Sequence, residues 1–232
     1  MDYLIDKKKF FDIWSNKLTI PIPALDIVIF TIYKGNLCLV LWRNKERFGD
    51  KYAIPGGIIA RGYSLEENFD NILQRETGIT GVYKEQLYTF GNPSRDDRGH
   101  VISISYYAFV KVESLLKTAD FTKIDLVKYD DIENLDFVYD HKSIIKYAKQ
   151  RLEWKLEYTN ISKDLLPKNF RISQLQLTYE IVLGKKLDKR NFQKKIFKLH
   201  MIKETGELDK TTNRPAKLYT FIDKELKTYE IL

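Results

Sequence analysis

The chain of 232 residues has a single cysteine, Cys38, and so no internal disulfide framework. That thiol lies in the apolar run NLCLVLW and is expected to pack as a small hydrophobe. No segment approaches the ~20 uninterrupted apolar residues of a membrane span. The N-terminal MDYLIDKKKFFDIW is broken by charges and has no apolar signal-peptide core. A cytoplasmic protein without a membrane partner is expected. Internal repeats are absent as well. With 44% hydrophobic and 13% aromatic residues the composition is that of a packed core, of a length that suits one medium domain and one small one.

Charge is distributed unevenly. Residues 1–159 carry 23 Lys and Arg against 23 Asp and Glu, whereas residues 160–232 carry 16 against 9, so the whole net charge of +7 belongs to the last third. A neutral body with a basic, patterned end suggests a nucleic-acid module joined to something else.

The run ALDIVIFTIYKGNLCLVLWRNK predicts a hairpin turning at Gly35-Asn36, and KYAIPGGII a short strand entering a Gly-Gly turn. A helix follows. Ser64 and Glu67 form an S-x-x-E capping box, Leu65, Phe69, Ile72 and Leu73 share one side, and Gly78 supplies the stop. YKEQLYTF and HVISISYYAFVKV predict strands flanking the polar loop GNPSRDDRG, and a long helix is expected from near Asp140.

Residues 56–79, GGIIARGYSLEENFDNILQRETGI, resemble the Nudix box, G-x5-E-x7-R-E-U-x-E-E-x-G-U, of nucleoside-diphosphate-X hydrolases. In that family the Glu residues share a helix face and hold divalent cations against a pyrophosphate. Aligned from Gly57, the first Glu position is Tyr63, and the R-E-U-x-E-E run becomes Asn71, Ile72, Leu73, Gln74, Arg75 and Glu76. Tyr63, Ile72 and Arg75 replace carboxylates, and one Glu beside an Arg predicts an ion pair. The scaffold is therefore expected to bind without hydrolysing, with neither metal nor cofactor. The competing reading recruits a metal through Asp96 and Asp97. Glu66 and Asp70 are expected to be solvated charges.

The basic end has its own pattern. Ile172, Leu175, Tyr179 and Val182 form one apolar stripe, stopped at Gly184, and Asp188 is a plausible N-cap for a second helix. On that helix Phe192, Ile196 and Leu199 are expected to face inward, leaving Lys189, Arg190, Gln193, Lys194 and Lys198 outside. Such a helix suits a major groove. HMIKETG and RPAKLYTFI predict a hairpin around the loop ELDKTTN, with Arg214 and Lys217 on its descending arm.

From about Ala24 to Phe221 the chain resembles the Nudix-related bacterial transcriptional regulators, which include regulators of NAD metabolism and of arabinose use. The stretches that carry this are GNPSRDDRGHVISISYYAFV, RLEWKLEYTNI, LLPKNFRISQLQLTYEIVLGKKLDKRNFQKKI and RPAKLYTF. The resemblance implies an α+β protein: an N-terminal Nudix-like α/β/α sandwich with a mixed sheet over residues 1–157, then a winged helix-turn-helix over 158–232. It implies a homodimer on a double-stranded operator, and repression relieved by a small effector. Asp188 to Lys195 match the recognition helix and Arg214-Pro215-Ala216 the wing. Ser173, Gln174, Asn191 and Lys195 join the candidate DNA contacts. For the effector, Gly56 and Gly57 mark the pocket. Arg43, Arg95 and Arg98 suit a diphosphate such as that of ADP-ribose, while Tyr63, Asp96 and Tyr106 suit a sugar such as L-arabinose. Loss of the metal cluster favours the sugar. The remaining alternatives are an active pyrophosphohydrolase with a DNA-binding appendage and a protein-interaction module.

Overall fold

The computed structural model describes residues 21–211 and 215–231. Strand β1 (Ile22–Tyr33) and β2 (Asn36–Arg43) form the expected hairpin, but the turn is Lys34-Gly35, both with positive φ, and Asn36 already belongs to β2. Asn36 instead donates its side-chain amide to the Lys34 carbonyl. A short helix α1 (Lys45–Phe48), capped by Asn44, leads to β3 (Tyr52–Ala53) and β4 (Gly56–Ile58). Gly56 and Gly57 thus lie in a strand paired to β1, not in a turn.

Helix α2 (Leu65–Thr77) has the predicted capping box and ends at Gly78 in the left-handed conformation. Strands β5 (Lys84–Phe90) and β6 (Val101–Phe109) follow. The sequence pattern carried the second of these strands to Val112, yet it ends at Phe109 and Val112–Thr118 is a helix, α3, whose Leu115 packs in the core beneath the sheet. Then come β7 (Ile124–Lys128), a 3-10 turn at Tyr129–Asn134, and α4 (His141–Tyr158).

Among the described residues seven strands make one mixed sheet, ordered β3-β2-β1-β6-β5, with β4 on β1 and β7 on β2; of these strand pairs only β1 and β6 run parallel. Alternation along β1 serves both faces. Leu25, Ile27 and Ile29 pack with Phe69 and Leu73 of α2, while Val28 and Phe30 pack with Ile144, Ile145 and Ala148 of α4. The edge of β1 is shared, Ala24–Asp26 facing β4 and Phe30–Tyr33 facing β2.

Past Tyr158 the chain forms α5 (Ile172–Leu183), α6 (Lys189–Lys198) and a hairpin of β8 (Ile202–Asp209) with β9 (Ala216–Phe221). The first arm of this hairpin extends to Asp209, beyond the predicted strand, which shortens the intervening loop. The division expected at residue 157 falls in the last turn of α4. The apolar cluster that holds α4 to the sheet continues through Leu156, Leu166, Phe170, Leu175, Tyr179, Phe192 and Ile196. No helix among the described residues is long and apolar enough to cross a membrane.

Candidate functional site

Where β1 passes from one partner strand to the other, the sheet opens into a cavity of about 220 Å³. Asp26 of β1 forms part of its wall. Buried beneath solvent, it accepts from the Ser103 hydroxyl at 2.6 Å and lies 3.4 Å from Arg95. Arg95 in turn makes a bidentate pair with Asp140, at 2.6 and 3.0 Å. Burial opposes the charge on Arg95, but the Asp140 hydrogen bonds outweigh it and hold the guanidinium protonated. His141 accepts the Ile54 amide at Nδ1, 3.1 Å away, so its proton resides on Nε2, 3.8 Å from Asp26. Burial lowers its pKa and keeps the ring neutral.

The rim is aromatic and cationic. Trp42 and Phe48 meet edge-on at 5.9 Å, and Phe48 meets Tyr139 at 6.5 Å. Arg98 stacks 4.6 Å from the Tyr139 centroid and pairs with Asp96 at 2.7 Å; that hydrogen bond holds Asp96 below the usual carboxylate range. Arg47 lies 5.0 Å from the Phe48 ring and, among the described residues, has no carboxylate within 4 Å.

Of the effector residues expected from sequence, Gly56, Gly57, Arg95, Asp96 and Arg98 line this cavity. Three others do not. Arg43 pairs with Asp125 on β7, Tyr63 is exposed beyond the cavity, and Tyr106 is packed against Phe69 with its hydroxyl towards Glu66. Arg95 is not a free clamp either, since two carboxylates already hold it. Sequence reading missed Asp26, Arg47, Phe48, Tyr139 and His141. Their one available signal was position: residues 47–48 follow a helix N-cap, and residues 139–141 start a long helix.

The box residues do not fit a metal. Arg75 Nε lies 2.6 Å from Glu76 Oε1 in a pair whose carboxylate is buried, and Ile72 is buried in the core. Asp96 is engaged by Arg98, so it offers no substitute ligand. Asp70 pairs with Lys84 at 2.7 Å instead of standing free in solvent. Among the described residues no group of three His, Cys, Asp or Glu side chains is placed to hold an ion.

The second surface is α6. Asp188 caps it, accepting the Asn191 amide at 2.8 Å, and Glu180 closes the preceding turn on the Leu187 amide. Phe192 and Ile196 are buried; Lys189, Arg190, Lys194 and Lys198 are exposed, with no carboxylate within 4 Å among the described residues. Leu199 and Gln193 are half-buried. Lys195, a candidate DNA contact, is half-buried and lines a groove with Asn191 and Ile231. Ser173 is exposed at the start of α5, whereas the Gln174 side chain accepts the Arg171 amide. Lys217 is paired with Glu204. Arg171 anchors the hairpin end through Asp209 and Thr211, at 2.6 and 2.8 Å. Arg214 lies outside the described residues.

Comparison with known proteins concerns both parts of the chain. Residues 163–221 match the family model described as the NrtR DNA-binding winged helix domain. The ADPR responsive transcriptional repressor NtrR of Acinetobacter baylyi is 29% identical over 205 residues, covering 87% of this chain and 82% of the relative. An ADP-ribose pyrophosphatase of Methanocaldococcus jannaschii is 34% identical over 136 residues, covering 58% of this chain and 75% of the relative. The crystal structure of Shewanella oneidensis NrtR complexed with a 27mer DNA superposes with a TM-score of 0.78 at 27% identity, covering 85% of this chain and 92% of that one. With a sandwich related to ADP-ribose pyrophosphatases and a C-terminal winged helix, the chain belongs to the Nudix-related transcriptional regulators.

Proposed function

We propose that this chain is a DNA-binding transcriptional repressor whose operator affinity is lowered by an ADP-ribose-like nucleotide bound in the cavity. The observation that carries the DNA reading is the contrast in ion pairing. Lys186 and Lys217 are neutralised by neighbours, while Lys189, Arg190, Lys194 and Lys198, unpaired among the described residues, present their charge on one helix. Phosphate contacts need such free cations. Arg190, Gln193 and Lys194 are the residues assigned to groove contacts, with Lys198 and the hairpin loop on the backbone. Two copies on a pseudo-palindromic operator fit this arrangement, half-site spacing being set by the dimer.

For the effector, Trp42, Phe48 and Tyr139 supply a stacking wall, and Arg47 and Arg98 supply charge beside it. A planar base joined to a diphosphate uses both, whereas a bare pentose uses neither fully. The cavity is smaller than the roughly 300–1,000 Å³ of drug-sized pockets, so a nucleotide sugar extends past its mouth. The Acinetobacter baylyi relative, described as ADPR responsive, supports this choice.

The Arg75–Glu76 pair and the buried Ile72 support binding without turnover. The second reading, a pyrophosphohydrolase carrying a DNA-binding module, draws on the 34% identity to the archaeal enzyme. One experiment addresses both: fluorescence anisotropy on the duplex upstream of its own gene, with ADP-ribose or L-arabinose added, beside an assay for product. Weaker DNA binding with ADP-ribose alone, and no product, is the expected result. A response to L-arabinose alone would overturn the choice of ligand.

A further inference from the structure

The helix that begins at the cavity ends at the winged helix. His141, the first residue of α4, lines the cavity, and 18 residues at 1.5 Å each carry the helix about 27 Å to Tyr158. Its last turn is tied to the C-terminal segment. The Tyr229 amide donates to the Tyr158 carbonyl at 2.7 Å, and the Ile231 amide donates to the Glu157 carbonyl at 2.9 Å. Ile231 is buried against α6, in the groove formed by Asp188, Asn191, Phe192 and Lys195. The C-terminal segment thus links α4 to α6, through backbone hydrogen bonds at one end and the packing of Ile231 at the other.

The start of α4 departs from an ordinary helix start in two ways. Asp140 occupies the N-cap position, where an Asp side chain normally accepts a backbone amide of the first turn. Here it makes no such bond, because both oxygens go to Arg95. The preceding residue, Tyr139, has φ +52°, a left-handed conformation that a bulky side chain adopts only at a cost. Its ring is held by Arg98 and meets His141 at 5.3 Å. Both the diverted cap and the strained residue are therefore clamped by arginines of the cavity.

We propose that the Arg95–Asp140 pair, with Tyr139 as its hinge, is the switch by which an anionic ligand in the cavity repositions α4 and hence α6. This rests on the reading of the cavity as the effector site. A diphosphate competes with Asp140 and Asp96 for the same guanidinium hydrogens. Once released from Arg95, the Asp140 carboxylate takes the cap on the Lys142 amide, the Ser143 amide being already bonded to the Asp140 carbonyl at 2.9 Å. One carboxylate cannot serve both partners at full strength, so the two arrangements exclude each other, as a two-state element requires.

Asp140→Ser tests this in the full chain, since serine caps the helix and cannot pair with Arg95. ADP-ribose binding is measured by calorimetry, and binding to the duplex upstream of its own gene by anisotropy. Linkage requires equal coupling in both directions, so the variant should bind ADP-ribose more tightly and, without it, bind DNA as weakly as the ligand-saturated wild type, a change of roughly 5- to 150-fold. Behaviour like wild type in both assays would overturn the switch. Should both affinities fall, as general damage to the fold would cause, Asp140→Asn decides, because it keeps the side-chain shape. Opposite shifts in that variant support the switch and any other result overturns it. Wild-type protein whose DNA affinity ignores ADP-ribose overturns the effector reading itself, a result that needs no variant.

Discussion

Gly56 and Asp26 face each other across the β1–β4 pair so closely that a Cβ on Gly56 would run into Asp26 Oδ1 and lie 2.7 Å from the Leu25 carbonyl oxygen. Asp26 cannot retreat without leaving Ser103 and Arg95. Gly57, one residue on, has nothing within 4 Å of the same added atom. Gly56→Ala is therefore expected to destabilise the protein by about 1–3 kcal/mol, as overpacking of a tight site does. Gly57→Ala should stay within about 0.5 kcal/mol of wild type. Urea unfolding of the two variants checks the contrast, and equal midpoints would count against the crowding.

The unpaired cations of α6 predict a graded salt response. Lys194→Ala should reduce the slope of log affinity against log salt by about 1, the contribution of one phosphate contact, on specific and random duplexes alike. Lys217→Ala should change it less, since Glu204 already neutralises that ammonium at 2.7 Å. Gln193→Ala, if this side chain reads a base, should cost about 1–3 kcal/mol on the specific duplex only. Anisotropy between 50 and 200 mM salt separates these outcomes. An unchanged slope in Lys194→Ala would remove this lysine from the interface.

His141 predicts a pH dependence of stability. Its imidazole is buried neutral, with desolvation and Arg95 opposing protonation and Asp26, Asp140 and Asp96 favouring it; the balance lies below the ordinary value of 6.5. Between the lowered folded value and 6.5 the unfolded chain binds a proton that the native chain does not. Stability is thus complete above pH 6.5 and declines as pH falls through it. Asp96, held low by Arg98, is shifted in the same direction, and its contribution is lost only at more acidic pH. His141→Asn retains an acceptor for the Ile54 amide and should flatten the denaturation midpoint between pH 7.5 and 5.5. A midpoint that falls equally in both proteins would exclude His141 as the cause.

How much of this was legible in the sequence depends on whether the signal was local. The capping box at Ser64 and Glu67, the stop at Gly78 and the apolar side of α6 are written within one helix, and all are present in the structure. The cavity is not local. Asp26, Arg95 and Asp140 lie far apart in the chain and meet only because β1 and β6 run parallel and α4 starts beside them. An Asp on a strand or before a helix looks like an ordinary exposed charge until that packing is known. The half-buried setting of Lys195 was hidden for a related reason, since the groove it lines is shared with Ile231 from the far end of the chain. The Gly-Gly segment was misread because glycine signals a turn as readily as a close approach of two strands.

Arg75 and Glu76 bear on the last prediction. A divalent ion held as in a hydrolytic Nudix site needs several carboxylate oxygens on one helix face. Here the buried Glu76 is spent on Arg75, whose guanidinium also reaches the Gly56 carbonyl at 3.3 Å, and Ile72 offers no ligand. Incubation with ADP-ribose and Mg²⁺ should therefore release no more AMP than the Glu76→Gln variant does. Calorimetry should give an ADP-ribose affinity that EDTA leaves unchanged. If the nucleotide instead sits against a metal, chelation will weaken its binding, and AMP that appears with Mg²⁺ and disappears in Glu76→Gln will identify a working hydrolase. The two measurements separate a site that only senses its ligand from one that consumes it, which decides whether the effector persists long enough to hold α6 away from DNA.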